Sequence, residues 1–160
     1  MRRNKQIITV VLVAFLAIFL SGCGGMQVKK TKATVQVSPA QVAINKAIFK
    51  TPIKFTGSGW KPGEAVSIEM VVPPEIKIPA VNPGEDAGIA VGKVDEKGDF
   101  NCTMGGMTKV ITLFRGTIDP VTFKPIAKTL KPLPPGKYTF KASGMASGNE
   151  ATTSIELLKP

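Results

Sequence analysis

The chain has 160 residues, with 21 Lys and Arg against 11 Asp and Glu, two cysteines and no histidine. Without histidine, Ser-His-Asp and Cys-His nucleophile activation and every histidine-based metal site are excluded. The net charge of +10 has two readings: dispersed lysines that keep a surface protein soluble, or a positive field for anionic headgroups, acidic polysaccharide or nucleic acid.

Arg2, Arg3 and Lys5 form a basic head, and Ile7 to Leu20 is an uncharged run of 14 residues. That run is too short for a hydrocarbon layer that needs roughly 20 helical residues, and it fits the apolar core of a secretory signal. Leu20-Ser21-Gly22-Cys23 follows it. In every position this resembles the lipobox of bacterial lipoproteins. The resemblance implies a signal peptide over 1–22, cleavage before Cys23, and acylation of Cys23 by diacylglycerol and a further fatty acid such as palmitate. An ordinary signal peptide with a chance cysteine, or an uncleaved anchor, are the alternatives. The mature chain then runs from Cys23 to Pro160 with 18 basic residues against 11 acidic. Its first ten residues, 23–32, read as a lipidated basic tether in which Lys29, Lys30 and Lys32 each gain about 1 kcal/mol near an anionic surface. With Cys23 acylated, Cys102 has no partner for a disulfide, so the domain over 33–160 depends on core burial.

From Ala33 the apolar residues alternate. Ala33, Val35 and Val37 predict a strand with one buried face, Pro39 ends it, and Val42 and Ile44 resume along an edge. Ile53 and Phe55 predict a second strand and Val66, Ile68 and Met70 a third, with Gly57-Ser58-Gly59-Trp60-Lys61-Pro62-Gly63-Glu64 between them. Four prolines between Pro73 and Gly84 predict a loop or edge. Ile89 and Val91 predict a short strand, and Val94 to Phe100 a hairpin with a polar turn closed by Gly98. Phe100, Cys102 and Met104 then point inward. Met107, Val110, Ile111 and Phe114 stand at helical spacing, with Gly116 as the stop. The stretch 105–135 is too long for an ordinary hairpin loop, so it is an insertion with its own structure or a functional loop. Tyr138, Phe140 and Ala142, then Ala151, Thr153, Ile155 and Leu157, form the two closing strands.

These short alternating strands argue for an all-β fold. Three pieces in order, Gly59-Trp60-Lys61-Pro62-Gly63-Glu64, Asp95 to Phe100, and Pro134-Pro135-Gly136-Lys137-Tyr138-Thr139, resemble bacterial immunoglobulin-like domains. The resemblance implies an immunoglobulin-like β-sandwich with a partly helical insertion near 105–135. It also implies that the Tyr138 ring is buried and its hydroxyl bonds to backbone.

The candidate site residues are few. Trp60 is either packed across the end of the core or exposed as a ligand platform. Asp95 and Asp99 lie in an acidic turn that reads as a solvated turn or as hard oxygen ligands for calcium, although the spacing does not follow an EF-hand loop. Glu85-Asp86 and Asp95, Glu96 and Asp99 are the carboxylate clusters that a hydrolase would require. Cys102 is expected to be buried and inert. No phosphate-binding glycine loop occurs, at least four of the eight mature aromatics take inward strand phases, and nucleic acid is not expected as a partner. The functional expectation is a lipid-anchored, non-enzymatic binding or structural module of the cell envelope, in the outer membrane if the cell has two. It needs no cofactor and meets an envelope protein or an anionic polysaccharide. The alternatives are a carbohydrate-binding or adhesive domain using Trp60 and the long loops, and a carboxylate-dependent hydrolase.

Overall fold

In a computed structural model that describes residues 32–160, the alternating segments pair into two sheets. Strands β1 (Thr34–Ser38), β3 (Lys54–Ser58) and β6 (Phe100–Thr103) form a three-stranded sheet in the order β1-β3-β6. Strands β2 (Gln41–Ala43), β8 (Glu150–Leu158), β7 (Gly136–Gly144), β4 (Ala65–Met70) and β5 (Ala87–Lys93) form a five-stranded sheet in that order. Every pairing is antiparallel except β2 with β8. The fold is all-β, with a helix α1 (Gly106–Thr112) and two short 3-10 turns, Lys46–Phe49 and Ala127–Thr129. The signal segment, Cys23 and residues 23–31 of the tether lie outside the described residues.

The layers meet through the inward set that the alternation anticipates. Ile53, Phe55, Val66, Ile68, Met70, Phe140, Ala142, Ile155 and Leu157 are all at most 1% exposed. Phe55 of the smaller sheet meets Phe140 of the larger edge to face, with ring centroids 4.9 Å apart. Pro39 stops β1, and after it the chain changes sheets, so Val42 is added parallel to Leu157 at the far edge. Tyr138 is buried, and its hydroxyl donates to the Pro134 carbonyl at 2.8 Å.

Three expected details are corrected. Val94 to Phe100 does not join a hairpin, because β5 and β6 belong to different sheets. Its turn is a corner between layers, held by Asp95 N–H to the Asp99 carbonyl at 2.8 Å. Ile89 and Val91 do not share a face: Ile89 is buried, while Val91 is 65% exposed. The pairing of β4 with β5 slips at Ile68/Glu69, which inserts Ile89 as an extra residue and reverses the phase beyond it. Helix α1 buries Lys109, Val110 and Thr112 with Leu113 and Phe114 beyond its end, while Met107 is 43% exposed and Ile111 is half-buried. The expected stripe is rotated because the helix is only two turns long and the Lys109 ammonium is drawn inward. It donates to the carbonyls of Ile48 at 3.0 Å and Thr51 at 2.6 Å. Phe114 instead stacks on Phe49, with centroids 4.9 Å apart.

Gly57 is a fixed point in this packing. A Cβ there would lie 2.5 Å from the Thr34 carbonyl and 2.8 Å from the Trp60 indole nitrogen, whereas Gly88 faces open space. Gly57→Ala is expected to cost about 1–3 kcal/mol through overpacking, and Gly88→Ala far less. Denaturant melts of the two variants check this; equal losses would contradict the packing.

Candidate functional site

The polar residues that stand out in the sequence are used by the backbone around them. Trp60 follows β3 and precedes the turn in which Pro62 sets φ and Gly63 takes a φ of 80°. Its own N–H donates to the Gly98 carbonyl at 3.1 Å and its indole N–H to the Thr34 carbonyl at 2.8 Å. The ring meets Phe100 edge to face at 5.7 Å and is 3% exposed. In this position the indole is a core side chain that ties the sheet-to-sheet corner to β1, and it has no ring face at the surface for a ligand platform.

Asp95 is similarly engaged. Its Oδ1 accepts the N–H groups of Lys97 at 2.8 Å and Asp99 at 2.9 Å. The hydrogen bond from Asp99, assisted by that from Lys97 and by the Lys97 charge, holds the carboxyl below its ordinary value. Asp95 and Asp99 thus face each other through backbone across one tight turn, and among the described residues no three acidic or cysteine side chains gather as a metal site. Of the other acidic pair, Glu85 accepts from the Asn82 amide at 2.9 Å and Asp86 pairs with Lys141 at 3.2 Å. Cys102, expected to be buried, is only half-buried near the edge of the core, and that partial burial still pushes its thiol above the ordinary value, which keeps it protonated and a weak nucleophile.

Two buried charges are not legible as such in the sequence. Glu64, 5% exposed, ends the Trp60 turn. Its Oε1 accepts from Lys61 N–H at 2.8 Å and the Ser147 hydroxyl at 3.0 Å, and its Oε2 from the N–H groups of Ala146 at 3.2 Å and Ser147 at 2.9 Å. Burial pushes the carboxyl up, but these four donors more than offset it, and the net shift is downward. The carboxylate therefore fastens the β7–β8 turn to the β3–β4 turn. Lys109 is the second: burial pushes its ammonium below the ordinary value, while the carbonyls of Ile48 and Thr51 retain it.

A basic surface lies where the two long loops meet. Arg115, with a φ of 45°, donates from Nε to the Lys131 carbonyl at 3.0 Å and from Nη2 to the Pro132 carbonyl at 2.9 Å. Thr117 donates from N–H to the Thr129 hydroxyl at 3.0 Å. These bonds place Arg115, Lys128 and Lys131 around an open groove of about 460 Å³, completed by Lys77, Pro79, Thr117 and Thr129. Four cations line it and no carboxylate does. Lys77 and Pro79 also border an apolar cavity of about 500 Å³ formed by Val72, Ile76, Ile78 and Val81 with the prolines of the first loop. Sequence reading singles out both loops but not these lysines, because only the tertiary fold brings residue 77 beside residues 115–131.

The comparisons assign no family. No family profile and no curated protein matches the sequence. Among solved structures, the chain is similar to macromomycin, with 14% identity and a TM-score of 0.40 over 79% of this chain and 99% of that one. It is similar also to BslA, a bacterial hydrophobin, with 15% identity and a TM-score of 0.37 over 81% and 96%. A third similarity is to a β-D-glucoside glucohydrolase from Trichoderma reesei, with 10% identity and a TM-score of 0.41 over 80% of this chain. The chain spans only 18% of that enzyme and 15% of a β-glucosidase from Kluyveromyces marxianus.

The Glu64 clamp makes a pH-dependent prediction. A carboxylate whose folded pKa is depressed contributes stability above its unfolded value, near 4.5, and loses that contribution as pH falls through the folded value. Glu64→Gln, which leaves two donors without an acceptor, is expected to lose about 1–3 kcal/mol at neutral pH. The gap to the wild type closes below the unfolded value. Urea melts across the acid range check this; a gap constant with pH would mean that the charge contributes nothing.

Proposed function

We propose that this protein is a lipid-anchored, immunoglobulin-like module of the cell envelope that binds rather than catalyses, and that its binding face is the basic groove between the two long loops. The observation that carries the reading is the distribution of polar groups. The carboxylates Glu64, Asp95 and Asp119 and the Lys109 ammonium are spent on backbone groups. The ammonium groups of Lys77, Lys128 and Lys131, by contrast, converge on one open groove, edged by Arg115, whose guanidinium also braces the 131–132 backbone. A surface with one sign of charge attracts anionic groups before contact and holds them after it. The Leu20-Ser21-Gly22-Cys23 sequence supplies the anchor, and the burial of the Tyr138 ring with its hydroxyl on Pro134 supports the immunoglobulin-like reading. The ligand class is an anionic group carried by an envelope component, and an acidic polysaccharide is the soluble probe of that chemistry.

Two measurements test the two halves of the proposal. Metabolic labelling with a fatty acid is expected to mark the wild type and not Cys23→Ala; equal labelling rejects the anchor. For the groove, Lys77→Glu, Lys128→Glu and Lys131→Glu together are expected to weaken binding to polygalacturonate by about threefold to a hundredfold, since three exposed ion contacts contribute about 0.2–1 kcal/mol each. Lys46→Glu, Lys50→Glu and Lys54→Glu, which change the net charge equally elsewhere, serve as control. Binding weakened equally by both triples, or by neither, rejects the groove.

A further inference from the structure

Beyond the groove, the second loop rises into a small built hairpin. Ile118 bridges Pro125, Asp119 N–H donates to the Lys124 carbonyl at 2.9 Å, and Phe123 N–H donates to the Asp119 carbonyl at 2.9 Å. The Asp119 carboxylate closes the tip by accepting from Val121 N–H at 2.9 Å and Thr122 N–H at 2.7 Å. The tip nevertheless displays its apolar side chains, with Val121 83% and Phe123 73% exposed. Phe123 sits at a φ of 53°, a conformation that a bulky residue adopts only where its surroundings impose it. Hydrogen bonds are thus arranged so that two apolar groups, two residues apart, stand in water.

Resting on the reading that the groove receives anionic groups, we propose that the tip Val121-Thr122-Phe123 is a wedge that seats in the interfacial layer of an anionic lipid bilayer while the groove cations meet its headgroups. Charge complementarity selects this occupant. Lys124 lies within the hairpin, Thr117 at its base lines the groove, and Arg115, Lys128, Lys131 and Lys77 surround that groove. The single acid of the tip, Asp119, is turned onto the loop's own N–H groups. A second copy of the chain would bring the same positive charge to meet this one. An acidic polysaccharide would satisfy the cations yet leave the Val121 side chain in water, since it offers no apolar phase. A bilayer satisfies both parts, because an aromatic ring sits well at the interface, apolar side chains enter the acyl boundary, and basic residues stay among phosphates. A domain already anchored to the membrane would meet that surface at high effective concentration, so even modest wedge affinity would set its orientation.

The test uses the piece Thr31–Pro160, a compact unit that holds every core residue, so that the lipid anchor does not mask the tip. It is assayed on phosphatidylcholine vesicles with and without phosphatidylglycerol, and on polygalacturonate. Val121→Thr with Phe123→Asn keeps the loop shape, because Asn tolerates positive φ. The double variant is expected to bind the anionic vesicles about tenfold more weakly and polygalacturonate unchanged. Phe123→Trp is expected to be quenched by brominated acyl chains on anionic vesicles, with the parent protein, whose Trp60 is buried, as the blank. Undiminished vesicle binding by the double variant, or absence of quenching, overturns the wedge and leaves the groove intact. Vesicle and polymer binding that both survive Lys77→Glu, Lys128→Glu and Lys131→Glu overturn the groove, and the wedge with it.

Discussion

Phe55 and Phe140 meet edge to face between the two sheets, and the layers are held by apolar contact of this kind, since the one cysteine among the described residues is free. Trp60 and Phe100 close one end of this seam, and Gly57 and Gly92 have no side chain because the Phe100 ring occupies the space where one would stand. With no disulfide among the described residues, the domain has to obtain its stability from burial, and the near-complete exclusion of Ile53, Val66, Ile68 and Met70 from solvent is the structural counterpart of that constraint.

Loops around such a core need fastening, and two buried charges provide it. Glu64 takes donors from both its own turn and the β7–β8 turn, and Lys109 donates hydrogen bonds to carbonyls within and just after the Lys46–Phe49 turn. In each case a charged group is hydrogen-bonded mainly to backbone rather than paired with an opposite charge, which limits the cost of burying it. The same economy leaves these groups unsuited to acid–base chemistry, because their lone pairs or protons are already engaged. Other basic charge lies at the surface, where Arg115 both braces the 131–132 backbone and edges the groove.

The strand core was readable because alternation has a period of two, and a buried face leaves a direct record of that period. Val35, Phe55, Ile68, Phe140 and Ile155 follow from it. The failures arise where a second influence enters. A bulge at Ile89 reversed the phase of β5, so Val91 faces water. The two-turn helix rotated because a lysine found carbonyls to bind. The Val94–Phe100 segment has the composition of a hairpin turn, but local composition cannot say whether the strands it joins lie in one sheet or two. Trp60, conspicuous as the single tryptophan of the chain, sits where turn chemistry and core packing coincide, and its indole N–H is spent on Thr34.

The sequence by itself determined the all-β character, most of the inward strand residues, the lack of histidine chemistry, and the lipobox resemblance. Each depends on local pattern or residue type, which one chain displays in full. Tertiary structure alone decided the sheet order, the clamps made by Glu64 and Lys109, and the convergence of Lys77 with Arg115, Lys128 and Lys131. These relations join residues far apart in the chain, and such pairings follow from how the layers pack, which no local period records.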